Sequence, residues 1–233
     1  MTKNILISIL LLSLLILPTQ AELPSDKTTI AVSGQSILKA EPDVAYVLVG
    51  VEQTERTATA AQKTVAQNMS KVLASLKNLG IPKEKLETTE FTLRPKYEYR
   101  GGKREFLGYT ASNQIRVTLD DLDKVGKVID SSIAAGANNV SDVSFSVKDT
   151  DPLKKKALEK AFVVAKEKAE TIAKASNLTL IKIQNIQESA AEVFPRSIQA
   201  FKAEGEAMET PILAGKIEIR GNLSVVYECA AKK

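Results

Sequence analysis

Apolar residues alternate with polar ones over some stretches of this chain and recur at threes and fours over others. The two periods separate strands from helices. In 28–38, Ile30 and Val32 share a face, and Gly34 marks a bulge or a close approach by another segment. Glu41-Pro42 breaks the pattern. Segment 43–51 is apolar on both faces, as suits a central strand covered on two sides, or on one side plus a partner chain. In 54–79 the residues Ala61, Val65, Met69, Val72, Leu76 and Leu79 form one helical stripe. Gly80 then offers a left-handed cap, Ile81 its hydrophobic contact, and Pro82 a stop.

Strands follow at 86–99 and 106–119, joined by the Gly101-Gly102 turn. Ile115, Val117 and Leu119 alternate with Gln114, Arg116 and Thr118, so this strand has one wet face. Asp120 or Asp121 caps a second helix, with Leu122, Val125, Ile129 and Ile133 inward and Gly136 at its end. Val143, Phe145 and Val147 alternate as another strand. Asp151-Pro152 opens a third helix, whose predicted inner stripe is Leu158, Phe162, Ala165, Ala169 and Ile172, with Asn177 as its cap. The charged residues on its other side read as a solvated face. Strands at 178–187 and 216–228 complete the pattern, the last with Ile217, Ile219, Leu223, Val225 and Tyr227 inward.

Residues 43–148 thus run strand, helix, strand, strand, helix, strand, the order of a split βαβ, ferredoxin-like unit. The predicted class is α/β (α+β): an antiparallel or mixed sheet with helices packed on one face. Residues 149–233 add a helix and two strands around a long loop. That loop, 188–209, fits neither period and contains Phe194, Pro195 and Phe201. Such a loop is functional or disordered; disorder and contact with a neighbouring subunit both remain open here. Helices on one sheet face leave the other needing cover, so an exposed apolar sheet face is expected.

Ahead of this pattern lie Lys3, an apolar run at 5–17 interrupted only by Ser8 and Ser13, Pro18, and small residues at Thr19 and Ala21. These are the parts of a secretory signal peptide, with cleavage expected after Ala21. The run has 13 residues, short of the roughly 20 that a spanning helix needs. The domain division is therefore 1–21 as leader and 22–233 as working protein, periplasmic, with no transmembrane segment in the mature chain.

Removing 21 of the 233 residues leaves 212, with 31 basic against 28 acidic, since the leader carries only Lys3. That mild balance, with basic residues interspersed among acids, does not point to nucleic acid. The chain has no His, which removes the commonest general base and the commonest metal ligand. Its single Cys229 has no partner for an internal disulfide. Asp120, Asp121 and Asp123 sit where a helix N-terminus favours negative charge. The Gly101-Gly102 pair has no helix behind it, so it is not a phosphate loop. No cofactor, metal site or catalytic constellation is expected. The richest segment is 94–109. Arg94, Tyr97, Tyr99, Phe106 and Tyr109 gather there, either as an interface or as ordinary cross-strand pairing.

Six short motifs, taken in order and spacing, carry a resemblance. They are Val32-Ser33-Gly34-Gln35, Glu41-Pro42-Asp43-Val44-Ala45, Val49-Gly50-Val51-Glu52, Leu76-Lys77-Asn78-Leu79-Gly80-Ile81, Gly108-Tyr109-Thr110-Ala111-Ser112-Asn113 and Ala134-Ala135-Gly136-Ala137-Asn138-Asn139. From about Thr29 to Tyr227 the chain resembles the SIMPL-domain family of bacterial exported proteins, the periplasmic immunogenic protein type. The resemblance implies an α/β fold, homo-oligomers and a loose association with envelope or oxidative stress, with no catalytic residues to carry over. The leading expectation is a non-enzymatic periplasmic protein whose partner is itself. The alternatives are a monomeric module binding a ligand or an envelope partner through the hairpin, and an enzyme with an unrecognised site.

Overall fold

A computed structural model describes residues 28–198 and 212–232. The elements are β1 (Thr29–Ala40), β2 (Val44–Glu55), α1 (Ala58–Asn78), β3 (Leu86–Arg100), β4 (Lys103–Leu119) and α2 (Val125–Ala134). They continue with β5 (Asn139–Ser146), α3 (Asp151–Ala175), β6 (Leu178–Phe194), β7 (Arg196–Ile198) and β8 (Ile217–Ala231). Segment 1–21, expected to be a signal peptide, lies outside the described residues.

The strands form two antiparallel sheets, ordered β3-β4-β2-β5-β7 and β1-β8-β6. In the first, β4 inserts between β2 and β3 while β5 pairs with the other side of β2. This is the split βαβ arrangement that the order of elements predicts. The single sheet anticipated from sequence is divided in two, because β8 pairs with β1 and β6 rather than with the central strands.

Val47, Val49 and Val51 of β2 are fully buried against Val65, Val72 and Leu76 of α1 and Val125 and Val128 of α2. The helix starts because the Thr57 hydroxyl accepts the Ala60 N–H at 3.2 Å. It stops because Gly80 turns left-handed (φ 77), letting Ile81 N donate to Leu76 O at 3.1 Å. The second helix ends on the same device, with Gly136 left-handed (φ 111) and Ala137 N donating to Ser132 O at 2.9 Å. Asn177 takes the left-handed position after α3 (φ 54).

Four expectations need correction. The first residues of the predicted 54–79 helix belong to β2, which runs on to Glu55. The α2 stripe is Val125, Val128, Ile129 and Ser132, and Ile133 is left 49% exposed. The inner stripe of α3 is Ala157, Ala161, Ala165, Ala169 and Ala173, displaced one residue from Leu158, Phe162 and Ile172. Segment 188–194 is not loop: β6 continues through Phe194, paired with β8, and β7 follows against β5. The remainder of that proposed loop, 199–209, lies outside the described residues.

The second sheet face also differs from expectation. Opposite the helices, Tyr46 and Leu48 are half-buried, and their cross-strand neighbours are Thr118, Arg116, Ser144 and Asp142. Polar and charged side chains surround the two apolar ones, so this face does not need an apolar cover. Exposed apolar surface gathers on the β3–β4 hairpin and on β6 instead.

Candidate functional site

The hairpin begins as part of the sheet and leaves it. Its two-residue turn places both Gly101 (φ 56) and Gly102 (φ 78) at positive φ between the paired Arg100 and Lys103. Two consecutive positive φ values match the twist of the flanking strands, which is why glycine occupies both positions. The pairing of β2 with β4 ends at Glu55 opposite Tyr109. Beyond that point, 96–108 is a two-stranded ribbon without a third strand among the described residues. A bulge at Leu107 lies where the ribbon departs, and bulges bend a strand and raise its twist. Gly108 sits beside it with φ 136; a Cβ there would lie 2.2 Å from the Glu55 carbonyl oxygen.

One face of the ribbon is aromatic. Tyr97 stands edge-on to Phe106 with ring centres 5.4 Å apart, and Phe106 stands edge-on to Tyr109 at 5.4 Å. The Arg104 guanidinium carbon lies 3.6 Å from the Tyr97 ring centre. Tyr99 shares the Tyr97 face by alternation and is 74% exposed, and Tyr97 and Phe106 are 41% and 47% exposed. Of the five residues singled out from sequence, Tyr97, Phe106 and Tyr109 are thus brought into one cluster, with Tyr99 beside it. Arg94 is not: it faces the other way, 3.6 Å from Glu90, beside Glu52, Thr92 and Asn139 on the polar sheet face. Arg104 takes the place expected of Arg94. The signal for it was the strand register, counted back from Gly101-Gly102, which sets Arg104 diagonal to Tyr97.

Elsewhere the charges serve the fold. Asp121 accepts the Asp123 N–H at 3.2 Å, as a cap does. Asp120 instead binds Lys85 at 3.0 Å and Lys148 at 3.1 Å. Hydrogen bonds from Lys85, then Lys148, hold its carboxyl below the ordinary range. Burial pushes the Tyr227 hydroxyl up, with Glu170 adding to it. Among the described residues no group of three His, Cys, Asp or Glu side chains is placed to hold a metal ion. Among the described residues, no helix is long and apolar enough to cross a membrane.

The family model described as "SIMPL: Protein of unknown function (DUF541)" matches residues 30–227, from within β1 to within β8. The chain belongs to the SIMPL family. The matched span takes in both sheets and the whole hairpin. Among similar proteins, the "26 kDa periplasmic immunogenic protein" of Brucella melitensis is 27% identical over 217 residues, covering 89% of this chain and 87% of that protein. The "Uncharacterized protein YggE" of Escherichia coli K12 is 28% identical over 211 residues, covering 89% and 85%. The YggE protein of Edwardsiella ictaluri is 28% identical over 176 residues, covering 75% and 73%.

Proposed function

We propose that this SIMPL protein is a non-enzymatic, self-assembling component of the bacterial periplasm, whose subunits meet through the β3–β4 hairpin. The observation that carries the reading is the aromatic ribbon of Tyr97, Tyr99 and Phe106, which stands beyond the sheet with all three side chains more than 40% exposed. A two-stranded ribbon without a third strand or a covering helix is marginal in water. Contact with another chain supplies the missing layer, and rigid aromatic and Arg side chains are the residues that dominate interface energetics. Closed symmetric association is the usual outcome when copies of one chain meet.

Export belongs to the same reading. Cleavage after Ala21 leaves Glu22 as the amino terminus of the protein recovered from periplasm, and the periplasmic name of the Brucella relative supports that compartment. An amino-terminal sequence that starts at Met1 in envelope-purified protein would reject it. Any link to oxidative stress is expected to be indirect, because the oxidisable side chains of the mature chain are only Cys229, Met69 and Met208, of which Met208 lies outside the described residues. Its thiol at Cys229 and the thioether of Met69 are 7% and 3% exposed, which keeps both from bulk oxidant.

Light scattering on the mature protein tests assembly. The expected result is an oligomer at micromolar concentration that dissociates on the double change Tyr97→Ala, Tyr99→Ala. A wild-type monomer sinks self-assembly and leaves the hairpin to a different envelope partner. An oligomer indifferent to the double change sinks only the choice of surface.

A further inference from the structure

A second feature stands apart from the hairpin. Between α1 and the start of β3 lies a cavity of about 490 Å³, within the range of small-ligand pockets. Leu73 of α1 and Leu86 of β3 form its walls, Ile115 of β4 its floor and Ile81 its end, after the turn that closes α1. Two cations, Lys77 and Lys83, also line it, and both are exposed. Among the described residues neither ammonium has an ion-pair partner. A pocket that combines buried apolar residues with two exposed cations complements one kind of molecule: a long apolar chain ending in an anionic group.

We propose that this groove binds a single free long-chain monocarboxylate. The alkyl chain lies along Leu73, Leu86 and Ile115, and the carboxylate sits between Lys77 and Lys83. The chain supplies affinity by removing apolar surface from water. The two ammonium groups select the acid over an uncharged analogue. They stay in water, so each contributes modestly. The geometry favours one ligand molecule over a membrane surface, because the apolar residues line a concavity rather than a protruding face. Nothing in this site uses Tyr97, Tyr99 or Phe106, so the proposal stands or falls independently of assembly.

Isothermal titration calorimetry with octanoate, decanoate and dodecanoate, each below its aggregation concentration, tests it. The expected result is one site per chain, tightening about fourfold for each added methylene, the equivalent of about 0.8 kcal/mol. Dodecanol is expected to bind several-fold more weakly than dodecanoate. Changing Lys77→Gln and Lys83→Gln together should erase that difference and keep the chain-length dependence. Leu73 is already 37% exposed, so Leu73→Asp is compatible with folding, checked by circular dichroism, and should abolish binding of acid and alcohol alike. The pair Tyr97→Ala, Tyr99→Ala should leave binding unchanged. Absence of dodecanoate binding overturns the proposal, as does affinity independent of chain length or untouched by Leu73→Asp. Binding only to phosphatidylglycerol vesicles overturns it in favour of a membrane surface. A change of oligomer mass with Leu73→Asp overturns it in favour of a second copy seated in the groove.

Discussion

Cys229 illustrates how far a residue's environment departs from its position in the chain. It lies four residues before Lys233. In the fold it is 7% exposed on β8, packed with Tyr227, Ala169 and Ala173, with its sulfur 3.7 Å from the Tyr227 carbonyl oxygen. A disulfide between chains would need this strand to open. The thiol is therefore expected to resist alkylation in native protein and to react fully in urea; fast labelling without denaturant would contradict this. Cys229→Ser places a hydroxyl in an apolar cluster and should cost about 1 kcal/mol, read from urea unfolding. The hairpin teaches the same lesson. Its aromatic residues were legible as a group, because they cluster in sequence. Which Arg joins them was not, since Arg94 and Arg104 differ only in the face that the register assigns them.

Among elements, α3 departs most from its sequence pattern. Hydrophobicity favours Leu158, Phe162 and Ile172 as its inner face, yet the buried positions are five alanines spaced by four. The reason lies in the sheet below. Gly34 of β1 and Gly221 of β8 both face the helix, and a Cβ at Gly221 would fall 2.6 Å from the Ala157 carbonyl carbon and oxygen. At Gly34 it would fall 1.9 Å from the Ala161 carbonyl oxygen. Backbone meets backbone here, and only small residues fit between. The Ser36 hydroxyl adds a 2.6 Å bond to the Ala157 carbonyl at this contact. Gly221→Ala should therefore push the helix off the sheet and cost about 1–3 kcal/mol, the scale of overpacking. Equal urea midpoints for wild type and variant would show that the contact yields freely. The Gly34 signal for a close approach was present in sequence; the helix that makes the approach was not. By contrast α1 has large residues on its stripe and a sheet face of valines beneath it, so periodicity identified its buried residues correctly.

At the scale of the molecule, Asp120 ties three parts of the ferredoxin-like unit together. It follows β4, Lys85 precedes β3, and Lys148 follows β5. Its folded carboxyl titrates below the ordinary 3.8. The stabilisation is thus fully present above that value and is lost as pH falls through the lower folded value. All three groups face water, so the effect is small. Melting temperatures of wild type and Asp120→Asn should differ slightly at pH 7 and converge as pH falls through the folded carboxyl's lowered value. A difference that persists unchanged in acid would assign the effect to something other than this carboxylate.

Local features of the chain determined the class of most segments, the caps at Gly80, Gly136 and Asn177, the order of the ferredoxin-like unit and the family. Each of these depends on neighbours within a few residues, or on motifs whose order is itself sequential. Tertiary structure alone decided that the strands divide into two sheets, that β6 runs through Phe194, that alanines rather than large residues line α3, and that the hairpin outruns β2. Those outcomes depend on which distant segments meet and how closely. β8 closes on β1 across most of the chain's length, and no periodicity within either strand specifies that partner. A groove formed by α1, β3 and β4 is a property of their spacing, and it exists only once the sheet sets that spacing.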